Sequence, residues 1–228
     1  MYTPPADARA VRIDADGATL DGDLLVPPGA TGIVVFAHGS GSSRFSPRNR
    51  MVARTLNDAG MATLLVDLLT PGEELIDDRT RELRFDIPLL ADRLAAVTDW
   101  VVSHRGTADL AIAFFGASTG AAAALIAAAM RARHVAAVVS RGGRPDLAAD
   151  MLGRVQSPTL LIVGGLDGQV IELNRAALAR LRCEKQMVIV PGATHLFEEP
   201  GALEQVAMLA REWFAARFPK GAHVGRHE

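Results

Sequence analysis

The chain has 228 residues, 49% hydrophobic and 22% charged, enough to bury the core of one large α/β domain, and its net charge of −2 leaves no basic footprint for nucleic acid or an anionic membrane. A single cysteine, Cys183, excludes an intramolecular disulfide and argues against a thiolate metal site. Residues 1–5 carry no basic stretch leading into an apolar core and no apolar run is long enough to span a bilayer, so the expectation is a cytoplasmic monomer or small homo-oligomer with no cofactor and no nucleic-acid or membrane partner.

In chain order, 10–13 and 22–26 read as a leading pair of strands joined through Asp14-Ala15-Asp16-Gly17, and Pro27-Pro28-Gly29 breaks the chain. Residues 32–37 are a buried strand followed by a Gly/Ser loop over 38–46. Ser46 caps and Pro47 opens a helix that Gly60 ends. A strand over 61–66 leads to an acidic, irregular connection at 70–78. Residues 84–104 have helical spacing, with Leu90, Leu94, Val97 and Val101 on one face. Then strands at 110–115, 135–140, 159–163 and 187–190 alternate with helices at 120–133, 145–154, 171–182 and 201–218. Continuous Val/Ile/Leu strands alternating with helices predict a mainly parallel sheet covered on both faces. No internal repeat or linker divides the chain, so 1–218 reads as one domain and 219–228, with His223 and His227, as a loose tail.

The most informative segment is Gly116-Ala117-Ser118-Thr119-Gly120, set between the strand at 110–115 and the helix at 120–133. A G-x-S-x-G there forces the serine into a sharp turn whose hydroxyl stands clear of the sheet, and a side chain at either glycine would collide with a neighbouring element. Serine oxygen needs a base within reach and an acid to orient that base. His195, just after the last strand, is the base candidate. Asp167, just after the strand at 159–163, is the acid, with Asp146 as second choice and an Asp-Gly turn as its alternative role. All three follow strands pointing one way, so their loops gather on one rim in the order Ser, Asp, His.

An acyl intermediate needs two N–H donors aimed at its oxyanion. Thr119 N–H should be one, and Ser40 N–H, or alternatively Gly41, in the loop His38-Gly39-Ser40-Gly41-Ser42-Ser43 the other. A phosphate cradle in that loop is disfavoured, since no G-x-x-x-x-G-K-[ST] or G-x-G-x-x-G is present. His38 reads as a brace for the loop. No H-E-x-x-H or clustered His/Cys ligands point to a metal. Arg44, Arg48, Arg141 and Arg144 lie near the same rim; Arg44 and Arg141 are candidates for an acidic substrate group, and the competing reading pairs them with local acids such as Asp67, Glu73 or Asp146.

The His38–Arg44 loop, the Ser118 elbow, Asp167 and Gly192-Ala193-Thr194-His195 together resemble the α/β-hydrolase fold over about residues 24–218, and within it the dienelactone hydrolase-like branch. The resemblance implies a Ser118–Asp167–His195 triad and a serine hydrolase acting on a small-molecule ester. Dienelactone hydrolases proper carry cysteine in the elbow; here that position is Ser118, which favours general ester hydrolysis, with lactones as a further substrate class. The segment 141–156, where a cap would be inserted, is too short for one, so the expected site is open and suits short acyl groups. Two alternatives stand beside hydrolysis: acyl transfer to an alcohol or peroxide, and a catalytically silent small-molecule binder.

Overall fold

The computed structural model describes residues 8–219; of the tail expected over 219–228, residues 220–228, with His223 and His227, lie outside them. Eight strands form one sheet in the order β1-β2-β4-β3-β5-β6-β7-β8. β1 (Arg9–Ala15) and β2 (Ala18–Leu25) are an antiparallel hairpin turned at Asp16 and Gly17, both with positive φ, and β2 runs antiparallel to β4 (Ala62–Val66). From β4 onward the neighbours are parallel: β3 (Gly32–Ala37), β5 (Ala111–Ala117), β6 (Val135–Arg141), β7 (Thr159–Gly164) and β8 (Lys185–Val190). Their carboxyl ends therefore share one rim.

Both faces of this parallel core are covered, which is why its strands read as unbroken apolar runs. Along β3, Ile33 and Val35 face one hydrophobic cluster while Val34 and Phe36 face the other. One cluster packs under α1 (Pro47–Asp58) and α6 (Ala202–Ala215). The other packs under α3 (Ile87–Ser103) and α4 (Thr119–Met130), joined by Ala177 of α5 (Gly168–Arg180). The predicted face of α3, Leu90, Leu94, Val97 and Val101, is the buried one.

Two expectations are corrected. The connection read as irregular contains α2 (Pro71–Thr80), whose Thr70 side chain accepts from Glu73 N–H while Glu73 reaches back to Thr70 N–H, with Pro71 in the first turn. The segment Pro145–Arg154 is 3₁₀ rather than α-helical and is interrupted at Ala149, whose φ is 45°. It packs against α4 and α5, with Ala148 and Leu152 in the core, and so forms no cap. No helix among the described residues is long and apolar enough to cross a membrane.

Candidate active site

Ser118 joins β5 to α4 with φ 49° and ψ −120°, a conformation that costs a non-glycine residue of order 1–3 kcal/mol and persists only when its surroundings impose it. Those surroundings are specific. Ser118 N–H donates to the Arg141 carbonyl at 3.2 Å, and the Ser118 carbonyl accepts from Arg144 N–H at 3.0 Å and Ala121 N–H at 3.1 Å. A Cβ on Gly116 would stand 2.5 Å from Ala121 Cα, and one on Gly120 would stand 2.3 Å from the Ala37 carbonyl oxygen. Both glycines are steric necessities.

Asp167 is the residue before α5 and His195 follows β8; the backbone ties their loops together through Leu166 N–H to Ala193 O at 2.9 Å and Gly165 N–H to Val190 O at 2.8 Å. With the loops so fixed, His195 Nδ1 lies 2.6 Å from Asp167 Oδ2, a charge-assisted contact between a half-exposed ring and a mostly buried carboxylate. The His195 ring crosses Gly142, its Cε1 lying 3.6 Å from where a Cβ of that glycine would stand, and Gly142 follows the Arg141 carbonyl that holds Ser118. The structure thus pairs Asp167 with His195 and sets Ser118 on the adjoining strand end. Among the described residues the Ser118 hydroxyl makes no hydrogen bond, to His195 or otherwise; in free enzymes such bonds often tighten only with substrate bound. Asp146, the second-choice acid, is held by Arg144 in a two-pronged pair at 2.8 and 2.9 Å.

The expected oxyanion loop abuts the nucleophile: a Cβ on Gly39 would lie 3.1 Å from Ser118 Cβ. His38 accepts Leu68 N–H at Nε2 (3.2 Å), which leaves Nδ1 to donate to the Gly39 carbonyl at 3.0 Å. Burial holds the His38 pKa below its ordinary value, against the opposing pull of that backbone bond and of Asp67, and this keeps the ring neutral for the brace. Because a trans peptide points its N–H opposite its C=O, fixing the Gly39 carbonyl also aims Ser40 N–H. That N–H meets Thr119 Oγ1 at 2.9 Å. Thr119 N–H, first in α4, has no intrahelical acceptor. Both expected donors therefore sit beside the Ser118 elbow.

Arg44, a candidate for an acidic substrate group, has the pairing of the competing reading: its guanidinium is in an ion pair with Asp67, a second with Asp23 at 3.6 Å and a third with Asp21 at 4.0 Å, and its N–H donates to Asp67 at 2.6 Å. It is a clamp on the loop, reinforced by Arg50, which bonds the Arg44 carbonyl and Asp23, both at 3.0 Å. Arg48 is paired with Glu198 at 3.0 Å. Arg141 is 6% exposed and has no carboxylate partner. Cys183 lies beyond α5 at the opposite rim, half-buried, with Sγ 3.8 Å from Thr159 Oγ1; burial raises its pKa, so it is no rival nucleophile. No group of three His, Cys, Asp or Glu side chains that could hold a metal occurs among the described residues.

A cavity of about 270 Å³ lies between the oxyanion loop and α2, walled by Leu69, Glu74, Asp77, Arg84 and Leu90. Asp77 and Arg84 wall it as a pair, and Asp77 also accepts Arg84 N–H at 2.9 Å. A larger recess of about 1310 Å³ sits at the opposite rim, beside Leu24, Val26, Arg54 and His104. It holds none of the chemistry, so the smaller cavity is the relevant one. The acidic connection at 70–78 is a wall that the sequence offers; its helical form is what the sequence reading missed, although Thr70-Pro71-Gly72-Glu73 is a readable helix start.

No protein-family model matches the chain. It is 59% identical over 211 residues to a protein from two strains of Mycobacterium tuberculosis that is named, provisionally, a phosphoribosyl transferase. The match takes in 92% of this chain and 47% of that protein, so the chain spans about half the length of the curated relatives it matches. Among solved structures it is similar to a dienelactone hydrolase from Anabaena variabilis, at 59% identity and a TM-score of 0.92, covering 93% of this chain and 98% of that one. A lidless serine hydrolase from Xanthomonas campestris shares the fold at 22% identity and a TM-score of 0.73, over 97% of this chain and 100% of the other. A dienelactone hydrolase-like promiscuous phosphotriesterase from metagenomic libraries does so at 21% and 0.72, over 93% and 98%. With the parallel sheet, the strained elbow and a near full-length match to a solved relative, the chain belongs to the dienelactone hydrolase family of α/β-hydrolases.

Proposed function

We propose that this chain is a serine hydrolase of small carboxylic esters, with Ser118 as nucleophile, His195 as base and Asp167 as its orienting acid. The observation that carries the reading is the 2.6 Å contact between His195 Nδ1 and Asp167 on the rim where Ser118 is held in its strained turn. Asp167 holds Nδ1–H, which leaves Nε2 as the basic nitrogen. As the Ser118 oxygen attacks the ester carbonyl, His195 takes its proton and Asp167 stabilises the imidazolium. The C=O electrons move onto oxygen, received by Thr119 N–H and by Ser40 N–H, which exchanges Thr119 Oγ1 for the oxyanion. The alkoxide leaves with the proton from His195. Water, deprotonated by the same imidazole, then releases the acid from Ser118.

Two features support short acyl groups: the absence of a cap and the small volume beside the oxyanion loop. Leu166 and Leu196, exposed next to Asp167 and His195, offer apolar contact for the rest of the ester. The transferase name of the M. tuberculosis relatives belongs to a protein about twice as long.

Short 4-nitrophenyl esters and a fluorophosphonate probe test the reading together. Ser118→Ala should cost about three decades in kcat and abolish covalent labelling while the thermal unfolding profile stays near wild type. A folded Ser118→Ala protein with ordinary esterase rates would refute it. Partition of the acyl group between water and added methanol separates hydrolysis from acyl transfer.

A further inference from the structure

Among the described residues two arginines are buried, Arg50 at 7% and Arg141 at 6% exposure. Arg50 has Asp23 at 3.0 Å. Arg141 has no hydrogen bond or ion pair from its guanidinium, and its Nε is sealed from solvent without a partner. A buried cation in that state is costly, and a fold keeps it only when packing forces it or a ligand answers it.

The acids that lie closest in sequence to Arg141 and His195 are engaged elsewhere. Asp146 pairs with Arg144, Glu198 with Arg48, and Glu199 accepts Thr194 N–H at 3.0 Å. The charge that acts on Arg141 is a second cation, Arg48, whose own Nε is also buried and unbonded. Burial first and Arg48 second pull the Arg141 pKa down to about 10, so it remains charged at neutral pH.

The surroundings are built. Arg141 Cζ stands 5.9 Å from the ring centroid of Phe197, a buried aromatic held at φ 57°, which aromatic residues rarely adopt. Phe197 lies two residues past His195, and the Arg141 carbonyl is the acceptor for Ser118 N–H. Arg141 pairs in register with Ala117 across one strand spacing, about 4.8 Å. Its guanidinium therefore belongs to the rim that carries Ser118 and His195, on the α1 side.

We propose that Arg141, seconded by Arg48, is a subsite for an anionic oxygen group, a carboxylate or a phosphate, beside the Ser118 elbow. Guanidinium matches both through two parallel N–H bonds. The group can come from two sources, an acid function on the ester itself or a free small anion; its placement relative to the scissile carbonyl rests on the hydrolase reading above.

The test has a kinetic and a binding arm. The kinetic arm compares kcat/KM for 4-nitrophenyl hydrogen glutarate with that for 4-nitrophenyl valerate, matched in length and differing in charge. Wild type should favour the anionic ester, and Arg141→Met should lower that ratio about 10- to 100-fold, with Arg141→Lys between. The binding arm titrates glutarate, uncharged glutaramide and inorganic phosphate into wild type and Arg141→Met by calorimetry. Anion binding lost in Arg141→Met, with no tethered-acid preference, assigns the subsite to a free anion; loss of both assigns it to the substrate. Equal ester preference together with equal anion binding in wild type and Arg141→Met, or no binding of glutarate or phosphate to wild type, overturns the subsite. Should no ester turn over in wild type, the binding arm still decides, and the hydrolase reading fails separately. The wild-type comparison of glutarate with glutaramide needs no variant, and Arg141→Lys covers the case in which Arg141→Met does not fold.

Discussion

On the β3 side of Ser118, Arg44 and Arg50 are met by Asp67, Asp23 and Asp21, and the oxyanion loop is strung between them and His38. On the β6 side, Arg141 is as deeply buried as Arg50 and meets no carboxylate. Both flanks carry cations at the same rim, and only their partners differ. A cation answered from within the fold holds backbone in place; one left unanswered beside a reactive centre is available to a ligand. Sequence position would not have separated them, since Arg44 lies in a rim loop, Arg50 in the first turns of α1 and Arg141 at a strand end, all close to the same rim.

Three experiments press on this contrast. The largest effect is expected from Asp67→Asn, which removes the charge that answers the Arg44 guanidinium while leaving one carboxamide oxygen to accept Arg44 N–H. With Asp23 still in reach of Arg44, the loss should be about 2 kcal/mol of unfolding free energy, below the range for a wholly orphaned buried charge. Urea unfolding measures it, and an unchanged midpoint would mean the clamp is not structural. Arg141→Met should behave oppositely. Removing an unpaired buried charge while keeping its apolar stem should leave stability level or raise it by about 1 kcal/mol. A fall of similar size to that of Asp67→Asn would erase the distinction between the flanks.

The smallest effect concerns His38, whose pKa is lowered by burial. As pH falls through about 6.5 the unfolded chain takes up a proton that the folded ring still refuses. The unfolded state then binds more protons, so stability declines toward acid, by at most about 1.4 kcal/mol per pH unit for this group. In His38→Asn the decline in unfolding midpoint between about pH 7 and 5 should be shallower than in wild type. Parallel declines in the two proteins would place the acid sensitivity elsewhere.

Much of the architecture was readable because its signals are local. Continuous apolar strands, the Ser46–Pro47 helix start and the buried face of α3 all follow from spacing and capping. The helix α2 escaped because its acidic composition masks a capping box that Thr70-Pro71-Gly72-Glu73 spells out. The 3₁₀ segment at 145–154 has helical composition and yields to a break at Ala149 that composition does not announce.

At the site, the chain alone determined which residue types stand at which strand ends, because a G-x-S-x-G between strand and helix and an acid and a histidine after later strands are constraints on backbone geometry that local sequence carries. Only the tertiary structure decided that Asp167 meets His195 at 2.6 Å, that Thr119 Oγ1 occupies Ser40 N–H, and that Arg44 is clamped while Arg141 is left unpartnered. Those outcomes depend on side chains from strands far apart in sequence arriving in one small volume. Pairing there is settled by distance and desolvation, neither of which a linear pattern encodes.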